Sequence, residues 1–336
     1  MNRFNTKIEL SVIVQTYNNA NTIAETVRSI LNQSFNNFEL LILDDKSKDN
    51  TLDIINTFSD NRIKIYKNEN NLGCGANLNT SLNKASGDII FYTCADDILD
   101  INALKIVHDI FLSSEEIGIV IRPYYWFEKS YTIPVRATRQ FKKREIVSIN
   151  SPFEKIRDVI ALADQLSGVG FRKKHIKGFF GLDPFVETAY IVANTLKYSR
   201  AVILEENIIA VRINSNGSMS FSSYKKSPVK SWHDLIINVF NENKFIDLQK
   251  YLIKNFVANN FIGLVQIKNY GGYKCLMREI LYMIKFRWQN ILDPRFILFS
   301  LGTALIPRYI LKKMVTFYKN YINNKLINIS VINTDI

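Results

Sequence analysis

The chain of 336 residues is poor in the residue types that staple or anchor a protein. Its three cysteines, Cys74, Cys94 and Cys275, are far apart and odd in number. They suggest neither a disulfide framework nor a metal cluster, and they point to a reducing compartment. The three histidines, His108, His175 and His233, lack metal-ligand spacing. The longest late apolar run, residues 296–307, is about a dozen residues where a bilayer-spanning helix needs roughly 20. At the start, MNRFNTKIELSVIV has Glu9 inside a short apolar run and no small-residue cleavage site after it, unlike a signal peptide. Neither G-x-G-x-x-G nor G-x-x-x-x-G-K-[ST] occurs. That disfavours a dehydrogenase-type dinucleotide fold and a P-loop NTPase.

What is present is the composition of a globular protein, 47% apolar and 22% charged, with room for one large domain or two ordinary ones. The net charge of +12 is unevenly spread. Residues 1–220 hold 26 Lys and Arg against 25 Asp and Glu, whereas residues 221–336 hold 17 against 6. We therefore divide the chain at about residue 220 and expect a polyanionic partner for the basic part, anionic lipid or nucleic acid.

Apolar runs at 10–15, 38–43, 63–66 and 89–94 read as strands, the first two nearly all apolar as in a sheet covered on both faces. Helical patterns separate them. One opens on Thr22 and Glu25 spaced as a capping box, one covers 49–58, and one runs from the loop NENNLGCG through Ala85. Repeated β-α-β predicts an α/β fold with a mostly parallel sheet. Further on we expect a helix at 101–112, a strand at 117–127, a mobile polar loop at 128–150 and a helix at 153–166. A short strand in LSGVGFRKK, a helix at 185–197, a strand pair at 201–212 and a helical remainder follow.

Such sheets bind ligands beyond the carboxyl ends of their strands. Tyr17 and Asn18 follow the first strand, Asp44 and Asp45 the second, Asp96 and Asp97 the fourth. Two adjacent carboxylates can hold Mg2+ or Mn2+ together with phosphate oxygens, although one of them could instead cap the next helix. A carboxylate at Asp45 could accept from a base N3–H or a ribose hydroxyl, or begin a helix. Two acidic pairs on one sheet favour a nucleoside-diphosphate site.

The segments SVIVQTYNNANTIAETVRSILNQSFNNFELLILDDKSKDNT and NNLGCGANLNTSLNKASGDIIFYTCADDIL resemble family 2 of the inverting glycosyltransferases, which have the GT-A fold. The likeness covers residues 10–99 in order and spacing, and more loosely continues to 220. It implies that Thr16, Tyr17, Asn18, Asp45, Asn77 and Asp96 bind the nucleotide sugar. Thr16 and Tyr17 would contact the base and Asp45 would accept from its N3–H. Asp96 would lie near the ribose or sugar, and Asp97 would ligate the metal. In the family's E-D element Glu187 matches the Glu and Thr188 stands where Asp is common. Glu187 is the first candidate for the catalytic base and Asp183 the second; a carboxylate at a helix start stabilised by the helix dipole is the plainer reading of Glu187. In VRINSNGSMS, Asn214 occupies the family's usual His position. Arg172, Lys173 and Lys174 could meet the diphosphate of a lipid carrier or lie solvated.

The basic part mixes Leu, Ile, Phe, Trp and Tyr with Lys and Arg, as interfacial helices do. An anionic membrane surface is the expected partner; nucleic acid is not, because no recognition module is visible and an acidic crevice would repel it. The expectation is a metal-dependent inverting glycosyltransferase, cytoplasmic and peripheral on the inner face of the plasma membrane. It would move a sugar, of UDP type, to a glycan or lipid-linked acceptor in O-antigen, capsule or exopolysaccharide synthesis. The alternatives are a non-catalytic nucleotide-sugar-binding scaffold and a nucleotidyltransferase, the latter disfavoured because TYNNANT lacks glycine and basic residues.

Overall fold

In the computed structural model, residues 8–213, 223–323 and 329–334 are described. Asn214 lies outside them. Four strands, β1 (Leu10–Thr16), β2 (Phe38–Asp44), β3 (Ile63–Lys67) and β4 (Ile89–Cys94), run parallel in the order β3-β2-β1-β4. Every residue of β2 is buried, and all but one of β1, which is why both read as unbroken apolar runs. Helices α1 (Ile23–Leu31), α2 (Thr51–Ile55) and α3 (Cys74–Asn79) connect them.

Beyond β4 lie β5 (Ile98–Leu99) and α4 (Ala103–Ser113), then β6 (Ile117–Ile121) and β7 (Tyr125–Phe127). The single strand expected at 117–127 is thus two strands in different sheets. Between them sit Arg122, a buried charge, and Pro123, which lacks the N–H a ladder requires. Residues 128–150, expected as a mobile loop, contain β8 (Pro134–Ala137) and β9 (Glu145–Val147). Their basic side chains lie along aromatic faces, Arg136 over Trp126 at 3.7 Å and Arg139 over Phe141 at 5.1 Å, so positive charge there does not signal solvation.

The chain continues through α5 (Phe153–Leu162), β10 (Val169–Arg172), α6 (Glu187–Leu196), β11 (Arg200–Ile203) and β12 (Ile209–Arg212). The large sheet has the order β3-β2-β1-β4-β10-β6-β11-β9, with β10 antiparallel to both neighbours. A second sheet, β5-β12-β7-β8, stands beside the end of β4. Among the described residues five α-helices follow: α7 (Pro228–Val239), α8 (Ile246–Asn255), α9 (Gly263–Phe286), α10 (Pro294–Leu305) and α11 (Arg308–Asn323). One core runs from the sheet into these helices, from Leu10 to Phe296. Residues 329–334 return to the small sheet, where Ile332 packs with Ile98, Tyr125, Phe127 and Ala210.

Candidate active site

The carboxyl ends of β1, β2 and β4 meet, as parallel neighbours must. After β1 the chain turns sharply. Asn18 takes a left-handed conformation (φ 55°), its N–H donating to Ser47 Oγ and its Oδ1 accepting from Lys48 N–H. Asn19 Oδ1 accepts from Thr16 Oγ1 and Tyr17 N–H. These bonds leave Tyr17 39% exposed at the mouth of the crevice, while Thr16 is buried.

Asp45 is buried after β2 and organises a second loop. It accepts from the N–H groups of Leu72 (2.8 Å) and Gly73 (2.9 Å) and from the Asn68 amide. Gly73 is left-handed (φ 82°), which a side chain would strain. Gly75 approaches Gly181 so closely that a Cβ would meet the Gly181 carbonyl oxygen at 2.0 Å. The glycines of GCG therefore let this loop nest against the segment before α6. Asn77 is only 1% exposed, its amide donating to the Leu43 carbonyl and accepting from Asn68. It braces the strand ends from inside.

Asp96 and Asp97 follow β4 and differ in setting. Asp96 is half-buried. Asp97 is buried, with one oxygen accepting from Ser167 Oγ and the other from Arg212 N–H at 2.8 Å. Burial first, and then the charge of Asp96, push the Asp97 carboxyl well above its ordinary range. The Cys94 thiol joins the two carboxylates; one ligand atom from each residue lies within 4.8 Å of the others. Cysteine spacing hid this, because the partners are carboxylates two and three residues away. Ser167 was also missed: it donates to Asp97 and accepts from Cys94 N–H (2.8 Å). Behind it the buried Arg122 donates to the carbonyls of Leu162 and Gln165, fixing the segment that carries Ser167. No local pattern marks either residue; only the fold brings them to the acid pair.

Glu187 begins α6, and its carboxylate meets the Cys74 thiol and the Gly75 N–H. Burial raises its pKa, with the Asp183 charge adding to the effect. Cys74 in turn meets the Gln15 amide, whose Nε2 is 4.0 Å from Cys94 Sγ. A continuous line of contacts thus joins Glu187 to the acid pair. Asp183 is engaged elsewhere, accepting from Phe185 N–H and from Ser231 Oγ of α7 (2.8 Å). Thr188 is buried. Arg172 and Lys173 turn away from the crevice to backbone carbonyls, and Lys174 pairs with Glu115.

Residues 11–163 match Glycosyl transferase family 2. The chain carries a glycosyl transferase family 2 domain. It is 42% identical over 96 residues to the Escherichia coli UDP-Glc:alpha-D-GlcNAc-diphosphoundecaprenol beta-1,3-glucosyltransferase WfgD, 29% of this chain and 38% of that one. It is 36% identical over 294 residues to the minor teichoic acid biosynthesis protein GgaA of Bacillus subtilis, 85% of this chain and 60% of that one. The chain thus spans less than two thirds of either relative. The chain also shares its fold with S. aureus TarS residues 1–349, solved in complex with UDP-GlcNAc. The TM-score is 0.62 at 18% identity, covering 94% of this chain and 92% of the other. The GT-A fold expected from sequence is the fold observed.

Proposed function

We propose that the protein is a metal-dependent inverting glycosyltransferase of bacterial surface-polysaccharide synthesis. It moves a sugar from a nucleoside diphosphate donor of UDP type to an acceptor hydroxyl. The acceptor is a glycan or a lipid-linked sugar met at the cytoplasmic face of the plasma membrane. The observation that carries the reading is the line of contacts from the acid pair through Cys94, Gln15 and Cys74 to Glu187, at the carboxyl ends of β1 and β4. The GgaA and WfgD names support the polysaccharide setting, and UDP-GlcNAc in TarS supports the donor class.

The donor set suits Mg2+ or Mn2+, since two carboxylates lie together and burial makes their mutual charge costly. Sequence assigned the metal to Asp97 alone. Its burial favours a division in which Asp96 faces the donor and Asp97, fixed by Ser167 and Arg212, holds the pair from behind. A bound divalent cation would offset the charge developing on the diphosphate. Tyr17 lies against the base, and Asp45 shapes the 68–73 loop around it. Glu187 takes the proton of the acceptor hydroxyl as its oxygen attacks the anomeric carbon opposite the diphosphate. Thr188 is its buried neighbour and has no part in that transfer.

Thermal unfolding of the full chain with UDP, UDP-Glc, UDP-GlcNAc or GDP-Man, each with and without Mn2+, tests this. A UDP sugar at about 100 times its Kd should add roughly 2.7 kcal/mol, and only with the metal. Asp96→Asn should remove that gain while leaving the ligand-free Tm within a degree or two. No shift with any donor, or one indifferent to Mn2+ and to Asp96, would overturn the assignment.

A further inference from the structure

We infer that α10 and α11 form a docking face for an anionic bilayer surface. This deepens the proposed function by naming the part of the chain that meets the membrane, and it requires no donor chemistry. On α10 one face presents Ile297, Leu298, Leu301 and Leu305, each between 41% and 78% exposed. With Pro294, Gly302 and Ile306 they line an open groove of about 470 Å³. On α11, Tyr309, Ile310, Met314 and Phe317 are 47–76% exposed, and just before α10 Trp288, Ile291 and Leu292 are exposed too. Single exposed apolar residues are ordinary, but an almost continuous series on successive helices marks an interaction surface.

Charge names the occupant. From residue 294 to 323 there are five Lys and Arg, namely Arg295, Arg308, Lys312, Lys313 and Lys319, and no Asp or Glu. Arg308, Lys312 and Lys313 are exposed, and Lys313 lies over the Tyr309 ring at 4.4 Å. Arg295 is paired with Asp293 (3.1 Å), but aliphatic and aromatic side chains interleaved with the exposed Arg308, Lys312 and Lys313 suit acyl chains beneath anionic headgroups. A second copy of this chain would bring a like-charged surface against it. No helix among the described residues is long and apolar enough to cross a membrane, so contact would be parallel to the surface.

The location is apt. Helix α11 packs against β8, the edge of the small sheet β5-β12-β7-β8, and β12 supplies the Arg212 N–H that holds Asp97. The docking face and the acid pair therefore share one small sheet, which would keep the crevice in register with acceptors embedded in the surface.

Sedimentation of the full chain with vesicles tests the inference, using 30% phosphatidylglycerol in phosphatidylcholine against phosphatidylcholine alone. The chain should pellet with the anionic vesicles. Binding should be at least tenfold weaker on neutral ones or in 0.5 M NaCl, and Trp288 emission should shift to the blue. The exposed double substitution L298E/L301E should weaken binding at least tenfold while circular dichroism and Tm stay unchanged. K312E/K313E should weaken it at least tenfold on anionic vesicles alone. A chain that stays in solution with anionic vesicles at low salt would overturn the inference, as would binding indifferent to both double variants. A dimer that ignores vesicles and is dissociated by L298E/L301E would assign the face to a second copy instead. Donor-induced thermal shifts need no vesicles, so failure here and failure of the transferase reading are separable.

Discussion

At the scale of single residues, burial is what gives the site its chemistry. A surface glutamate is too weak a base to gain much from being placed near a hydroxyl, but Glu187 is desolvated and its pKa stands above the ordinary 4.5. A raised carboxyl pKa moves the active, deprotonated form to higher pH. The acid limb of kcat/KM for sugar transfer should therefore fall above pH 4.5, and Glu187→Gln should lower kcat by about 10²–10⁴-fold while UDP binding persists. Asp183→Asn should keep an acid limb, moved to lower pH because the charge that helps raise the Glu187 pKa is gone, and should lower stability, because its carboxylate holds Ser231 of α7. Exchange of these two outcomes would make Asp183 the base. Gly75→Ala offers a second check. The new methyl would collide with the Gly181 carbonyl and force apart the loop and the segment that leads into α6 and Glu187, so transfer should drop at least tenfold and Tm should fall with it. The carboxylates of the crevice were legible because each follows an apolar strand. Ser167 and Arg122 were not, since their roles exist only where β10 pairs with β4 on one side and β6 on the other.

At the scale of elements, local signals held where burial was two-sided and failed where tertiary partners competed. Strands β1, β2 and β4 were read within a residue or so because alternation is not needed when both faces are covered. The Thr22–Glu25 capping box did not form. Thr22 Oγ1 donates to the Ala95 carbonyl (3.0 Å) and Glu25 pairs with Arg212, so the side chains that would cap α1 instead tie it to the acid-pair loop and to the end of β12. Glu39 on β2 shows the same preference for tertiary bonding. Burial alone would raise its carboxyl pKa. Bonds from Lys64 (2.6 Å), Ser11 Oγ (2.6 Å) and Ser86 N–H (2.6 Å) outweigh it and hold the pKa below the usual 4.5. The unfolded chain then takes up this proton at higher pH than the folded one. The stabilisation is complete above about pH 4.5 and is lost as pH falls through the folded pKa. Urea unfolding between pH 7 and 3 should show that decline. Glu39→Gln should cost about 1–3 kcal/mol at pH 7 and flatten the acid limb; a parallel limb in the variant would assign acid lability to other carboxylates.

At the scale of the molecule, composition divides the chain near residue 220, yet packing joins what charge separates. The boundary itself falls among residues outside the described set, and the core continues from the sheet into α7, α8 and α9. Glu279 of α9 is fully buried, accepting from Ser227 Oγ (2.6 Å), from Val229 N–H (3.0 Å) and from Arg278 Nε (2.7 Å). Those first two bonds fix the start of α7, and α7 in turn holds Asp183 through Ser231. Removing the carboxylate strands buried donors and one partner charge, a loss of roughly 3–5 kcal/mol. If residues 8–213 and the C-terminal helices are one folding unit, Glu279→Ala should shift a single denaturant transition to lower midpoint, with circular dichroism and tryptophan emission moving together. Trp126 reports on the small sheet and Trp232 on α7, so both regions carry a probe. Were the helices an independent unit, the variant would split the curve, with Trp232 lost first and Trp126 holding at the wild-type midpoint.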